Sequence, residues 1–505
     1  MLSGTTGGKT SRRRTSLKAA LRAALGLALA AALSAEVRPA AGTGLDPVRL
    51  GGFVGDLERL RLELKIPGLS AAIVKDGAVA WAQGFGFADL ELRKPATKDT
   101  PYGIASLTKT LSSTLILRLV EEGRLSLDDP VSRYAPSFRD GAVRVKHVLS
   151  HTSDGRPGDA YAYNSDRFGL LAELIRNVSG TPFRALLAST ILEPLGMMST
   201  IPGMDFDAAE ARGETRLGRG TRGRYRWVLA RTARPYLLYG ADEVVRAPFP
   251  APQIDAASGI ISTVMDLAKF DGALDDHRWL SREMQDRAWT PFVSNAGEPL
   301  PYGLGWFVED LFGQRLVWHY GDLPDSFSSL YLKAPGKRLT LILLANSDGL
   351  SAPFFAAPAV ETSAFAASFL RRFVLDDAPP GWQAPAEDAI GRWLEDKRSA
   401  RRVPVAVDAR DLRPCAGRYR LRPKGILTVT CEKGALWIDM PQDIKSRLFP
   451  AGRDRFFLKT MTMDITFVRG GRNEVTGIRF SANGATVAAE RIGAAPGAGA
   501  EGRVP

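Results

Sequence analysis

The 505-residue chain has only two cysteines and four histidines. Two thiols cannot build the disulfide framework on which small exported scaffolds rely, so a fold of this length must rest on buried apolar surface. So few histidines leave little room for a metal centre. His147 and His151 stand at i and i+4, but no glutamate follows His147 and no cysteine is near. Neither metal nor cofactor is expected. Also missing is a long apolar run: the best, residues 23–33, is about half of what a membrane-spanning helix needs. There is no internal repeat, which excludes solenoids and propellers.

The first 35 residues lack acids altogether and carry six of the Lys and Arg residues, so the formal net charge of +12 falls to +6 without them. A chain of that charge does not call for nucleic acid. Arg12-Arg13-Arg14, the apolar run and the small residues Ser34 and Ala35 form the pattern of a removed export signal, by general secretion or a twin-arginine route. No cysteine follows the run, which argues against a lipid anchor. The expected location is periplasmic or secreted, with no membrane span in the mature chain.

Hydrophobic content of 45% and charged content of 24% are ordinary for globular proteins, and the length suggests two domains. The first, 46–375, opens with a helical pattern and a hairpin around Lys75-Asp76-Gly77. It closes with strand-like runs at 304–308, 315–318, 328–332 and 339–345. Strands at both ends with helices between imply one antiparallel sheet flanked by helices, assembled from distant segments, with a helical region inserted. Between 200 and 255 the pattern dissolves. Eight arginines fall from Arg212 to Arg234, read as a solvated, mobile loop near the cleft. After Asp376-Asp377-Ala378-Pro379-Pro380, a linker with a short helix (376–410) leads to seven short strands within 411–492. Their spacing suggests a small β-barrel. Residues 493–505 are read as a frayed tail. Cys415 and Cys431 would face each other across the first hairpin of that unit, either bridged or as two buried thiols.

The chemistry centres on Ser106-Leu107-Thr108-Lys109, the one Ser-x-x-Lys in the chain, followed by an apolar helical run to Val120. Residues i and i+3 share a helix face. An amine there accepts the serine proton if burial lowers its pKa. Such a site needs a relay and donors for an oxyanion. Tyr163-Asn164-Ser165, just before a helix, and His319-Tyr320-Gly321, ending a strand-like run, are the candidates.

In this order, these three elements resemble the serine β-lactamase and penicillin-binding protein family, particularly its class C-like esterases, D-aminopeptidases and D,D-carboxypeptidases. Ser150-His151-Thr152, Glu193-Pro194-Leu195-Gly196-Met197, Ala257-Ser258-Gly259, Tyr302-Gly303-Leu304-Gly305-Trp306 and Ala345-Asn346 extend the likeness over roughly 46–375. The resemblance implies a β-lactamase/transpeptidase-like fold with Ser106 as nucleophile forming an acyl-enzyme. It implies Lys109, alone or with Tyr163, as base, the choice left open. Ser165 takes the polar position after Tyr163. His319 replaces a lysine that orients substrate, and the backbone N–H groups of Ser106 and Asp322, after Gly321, form the oxyanion hole. His for Lys, Ser for the usual Asn, and the acidic Asp322-Leu323-Pro324-Asp325 stretch depart from the family pattern. They favour a small ester, amide or D-amino-acid peptide as substrate over a strong β-lactamase. The alternative is a binding protein that grips a peptidoglycan fragment or β-lactam without turnover. The second unit is similar to the lipocalin-like β-domains appended to some members.

Overall fold

The computed structural model describes residues 44–251, 253–354, 359–375, 386–421, 425–432, 434–439, 446–459, 463–482 and 485–494. The expected export signal and most of the expected C-terminal tail lie outside these residues, as does the start of the linker.

The N-terminal unit is built on a seven-stranded antiparallel sheet. Helix α1 (Pro47–Glu63) precedes strands β1 (Gly68–Lys75), β2 (Ala78–Asp89) and β3 (Lys94–Pro95). The chain then runs through the central helix α2 (Thr108–Glu121) and a series of further helices that includes α3 (Ser165–Gly169), α4 (Arg219–Arg231) and α5 (Val264–Asp275). A hairpin, β4 (Tyr236–Tyr239) and β5 (Glu243–Arg246), lies between α4 and α5. The sheet is completed by β6 (Phe307–Leu311), β7 (Gln314–Leu323), β8 (Phe327–Ala334) and β9 (Leu339–Ala345). Its order is β3-β2-β1-β9-β8-β7-β6. The first and last strands of the unit, β1 and β9, therefore pair at the middle, Ala72 opposite Ile342. The expected sheet from distant segments is present, although the strand expected at 304–308 begins at Phe307.

Both faces of the sheet are covered, which explains why its strands read as unbroken apolar runs. Ala72, Val74, Val317, Ile342 and Leu344 pack with α2 and α5 in one core. Their neighbours Ala71, Ile73, Leu341 and Leu343 pack with Phe53 and Leu57 of α1 and Phe365 and Phe369 in a second. Helix α2 is buried nearly all round, yet it carries hydroxyls. Ser112 and Thr114 donate to the carbonyls four residues back, and Thr110 to Leu107, at 2.8–3.1 Å. Ser113 crosses to the Leu304 carbonyl at 2.6 Å. These bonds remove the cost of burying the hydroxyls.

The arginine-rich segment is not a loop. Residues 219–231 form α4, with Tyr225 and Val228 buried. Arg222 pairs with Glu210, and Arg226 with Asp207, on the preceding short helix. Charge density hid the helix because only two of its residues face the core, and its carboxylate partners lie outside it.

The linker helix is longer than expected. Helix α6 (Ala386–Ser399) places Ala389, Ile390 and Trp393 in the same core as α1, so the hydrolase-like unit extends past 375. The C-terminal unit is a closed barrel of eight strands, β10–β17, running from Gly417–Leu421 to Ala485–Gly493. The strand beyond the expected seven is Ser446–Pro450, disguised by its terminal proline and by alternation over only five residues. The barrel rests on the β4–β5 hairpin: Lys459 meets Glu243 at 2.6 Å, and Tyr239 Oη donates to the Arg402 carbonyl at 2.7 Å. Cys415 and Cys431 are free thiols. Cys415 sits in the turn before the first barrel strand.

One ion cluster locks α5 to the sheet. Lys333, wholly buried, meets Asp271 at 3.0 Å and Asp275 at 2.8 Å, and the Tyr331 and Thr340 hydroxyls also donate to Asp271. Replacing Lys333 with alanine strands two buried carboxylates. Chemical denaturation of this variant is expected to show a loss of about 3–5 kcal/mol; a loss below about 1 kcal/mol would contradict this account.

Candidate active site

Ser106 lies in a 3-10 turn, Ala105–Leu107, that runs directly into α2. Ala105 has φ +51°, a left-handed conformation costly for a residue with a side chain. Contacts on both sides hold the turn there. Ile104 N–H donates to the Ile260 carbonyl at 3.0 Å, and Ser329 Oγ donates to the Ile104 carbonyl at 2.8 Å. Gly321 on β7 completes the clamp. A Cβ at that position would sit 2.2 Å from the Ile104 carbonyl oxygen and 2.9 Å from Ala105 Cβ. Glycine is required because the strand and the serine turn touch.

Lys109 follows one turn later and is fully buried. Its Nζ lies 3.0 Å from Ser106 Oγ, 3.1 Å from Ser165 Oγ and 3.3 Å from the Ala257 carbonyl. The rings of Tyr163 and Phe168 stand 5.0 and 5.5 Å away. Among the described residues, no carboxylate pairs with the amine directly. Burial lowers its pKa to about 7, with Asp255 and Asp166 opposing from a distance. Burial thus favours the neutral amine beside the serine hydroxyl.

Tyr163 sits beside the same hydroxyls. Burial pushes its phenol pKa up, while hydrogen bonding with Ser106 and Ser165 opposes the shift. Burial thus favours the protonated phenol near neutrality. Its ring packs on that of His151 at 4.2 Å and lies parallel to Phe307 at 6.2 Å. Between Tyr163 and Ser165, Asn164 caps α3 by accepting from Arg167 N–H at 2.9 Å. Asn164 N–H donates to His151 Nδ1 at 3.1 Å. The His151 turn, with φ +54°, thus positions the tyrosine. Ring stacking and this bond are what the structure adds to the Ser150-His151-Thr152 motif.

His319 departs from expectation. It is fully buried, with Nδ1 2.6 Å from the Tyr320 carbonyl and Nε2 2.8 Å from Tyr302 Oη. A carbonyl only accepts, so Nδ1 carries the proton, and Nε2 of the neutral ring accepts from Tyr302. Burial holds the ring neutral, its pKa lowered to about 3. His319 has no free nitrogen to offer a substrate and no charge. It ties Tyr302 to β7. Asp322, next along β7, contacts Ser351 Oγ through Oδ1 at 2.9 Å.

The structure therefore brings Ser106, Lys109, Tyr163, Ser165 and Gly321 together and places His319 behind them. Sequence reasoning did not single out Asp255, whose Oδ1 accepts from the N–H groups of Ala257 and Ser258 at 2.7 and 3.0 Å. This fixes the carbonyl that Lys109 meets. An aspartate two residues before a small-residue turn was the available signal. Tyr302 lay within a noted motif, but nothing local linked it to His319.

Residues 53–364 match the model of the Beta-lactamase family, and residues 401–491 match one described as a domain of unknown function, DUF3471. Penicillin-binding protein 4* of Bacillus subtilis (strain 168) is 23% identical over 432 residues, 78% of this chain and 88% of that protein. Protein flp of Staphylococcus aureus (strain MW2) is 27% identical over 331 residues, 57% of this chain and 61% of that protein. The chain thus spans less than two thirds of protein flp. The octameric penicillin-binding protein homologue from Pyrococcus abyssi has a TM-score of 0.54 at 24% identity, covering 87% of this chain and 99% of that one. A likeness at this identity shows the fold.

If the Lys109 amine activates Ser106, only its neutral form can do so. The rate at which a fluorophosphonate labels Ser106 is then expected to have an acid limb, climbing from acid pH with an apparent pKa of about 7. It should fall by about 100- to 10,000-fold in Lys109→Met and vanish in Ser106→Ala. A labelling rate flat between about pH 5.5 and 8.5 would sink this assignment.

Proposed function

Because the chain belongs to the β-lactamase family of serine hydrolases, we propose that it hydrolyses small esters or amides, D-amino-acid amides and peptides included, through an acyl-enzyme on Ser106. The observation that carries this reading is the buried Lys109 amine 3.0 Å from Ser106 Oγ, with its pKa lowered to about 7. In the reaction, Lys109 takes the hydroxyl proton as Ser106 Oγ bonds to the substrate carbonyl carbon. The oxygen that becomes negative is received by the N–H groups of Ser106 and Asp322. Collapse breaks the ester or amide bond, and the leaving alcohol or amine takes its proton from Lys109, with Tyr163 relaying it. Water then attacks the acyl-enzyme with the same amine as base and releases the acid.

The choice between the two candidate bases follows from burial acting in opposite directions. Burial disfavours the charged form of each group, so it frees the amine and keeps the phenol protonated. The substrate class follows from the neutral His319. A carboxylate-bearing β-lactam or D,D-peptide benefits from a fixed cation beside its carboxylate, and the buried ring supplies none. Uncharged acyl groups suit the site better. The basic and apolar pattern of residues 1–35 supports export as part of this reading; recovery from a native host with residues 1–35 still attached would argue against it.

Turnover of a short-chain p-nitrophenyl ester and of D-amino-acid p-nitroanilides is expected, with benzylpenicillin hydrolysed at least about 100-fold less efficiently in kcat/KM. Intact-mass spectrometry should show a transient adduct of the acyl group on Ser106. A stable penicillin adduct without hydrolysis of any ester or amide would replace this reading with that of a non-turnover binding protein.

A further inference from the structure

Beyond the serine, the lysine and the tyrosine, one polar cluster abuts the site from the side of the C-terminal unit. Ser351 Oγ lies 3.0 Å from the Gly321 carbonyl and 2.9 Å from Asp322 Oδ1. A hydroxyl carries one proton, and a carbonyl oxygen only accepts. With Asp322 ionised, both neighbours of the serine are acceptors, and one of the two contacts has no hydrogen. With the carboxyl protonated, it donates to Ser351 Oγ, which in turn donates to Gly321, and both contacts are hydrogen bonds.

The surroundings favour the same state. Asp348 and Asp325 face Asp322, and burial together with Asp348 moves its pKa up to about 7, against the Ser351 hydrogen bond and the pull of Lys397. Lys397 is on α6, the helix between the two units, with Nζ 3.1 Å from Asp348 Oδ2, 3.5 Å from Asp325 Oδ1 and 5.3 Å from the Trp393 ring. Three carboxyl groups thus share one cation. Among the described residues, the other titratable groups facing Asp322 are the phenols of Tyr163 and Tyr320, both favoured in the neutral form by burial.

We propose that Asp322 is a positioning residue that works in its protonated form, tying β7 through Ser351 beside the nucleophile, and that Lys397 sets the pH at which this tie is lost. Ionisation removes a hydrogen bond from the segment that touches the Ser106 turn. It also places negative charge next to the position where the oxyanion develops, and both effects slow acylation. The inference rests on Ser106 as nucleophile. It further implies that the hydrolase unit depends on a residue of the interdomain helix.

The test uses the full-length protein, following both ester turnover and fluorophosphonate labelling against pH. The wild type is expected to show a bell-shaped profile, its acid limb from loss of the Lys109 proton and its alkaline limb from ionisation of Asp322, each with an apparent pKa near 7. Lys397→Met should move that limb up by about one pH unit, and Asp348→Asn should move it down by a similar amount. In Asp322→Asn the limb should disappear, whatever the absolute rate. Ser351→Ala should lower kcat about tenfold with little change in KM, and Ser351→Thr should restore most of it. An alkaline limb that stays in Asp322→Asn, or moves in the same direction in the Lys397 and Asp348 variants, overturns the proposal. Normal Ser106 labelling with no alkaline limb in the wild type does so too, while leaving the hydrolase reading intact. Absence of both labelling and turnover in the wild type would instead defeat the hydrolase reading itself. Thermal melts of each variant separate loss of fold from loss of the limb.

Discussion

Everything in this molecule converges on an amine removed from water. An ammonium group without a paired carboxylate is costly to bury, and Lys109 escapes that cost by releasing its proton. The requirement is demanding, because three walls must be supplied. The central helix presents the lysine, the Tyr163–Ser165 segment covers it, and the Ala257 carbonyl closes the far side. The sheet carries the fourth element, the strand whose glycine presses on the serine turn. A domain of this size serves to hold these walls in register around one nitrogen.

The same constraint orders the neighbours. His151 and His319 are buried around the lysine and are held neutral, by burial first and by the nearby amine second. Neither contributes charge, and each spends a ring nitrogen on the backbone next to a functional residue: the Asn164 N–H for one, the Tyr320 carbonyl for the other. Aromatic rings fill the remaining space, with Tyr302 placed between the two histidines at 4.9 and 5.8 Å. Such a wall excludes water and raises the effective strength of every polar contact inside it. Buried charge is treated differently away from the site, where Lys333 is matched by two carboxylates and serves the fold alone.

Much of this was legible in the residue order. The sheet assembled from both ends, the helix after Ser106, the small C-terminal barrel and the grouping of Ser106, Lys109, Tyr163 and Ser165 follow from periodicity and motifs. The misses have physical causes. Helix α4 was hidden because its arginines answer acids on another helix. The eighth barrel strand was hidden by a proline and five-residue length. The interdomain helix looked short because its apolar residues, Ala389, Ile390 and Trp393, complete a core whose other members, Phe53 and Phe369 among them, are spread along the preceding unit.

By itself, then, the sequence determined the candidate reaction centre, because a serine and a lysine three residues apart at a helix start are local facts. It also determined the two-unit layout, through composition and strand spacing. Only the tertiary structure decided the protonation states and hence the roles. A histidine's charge, a tyrosine's readiness to act as a base and an aspartate's proton depend on how much water and which charges surround them. Those neighbours, Tyr302 for His319 or Lys397 and Asp348 for Asp322, come from distant parts of the chain that only folding brings together.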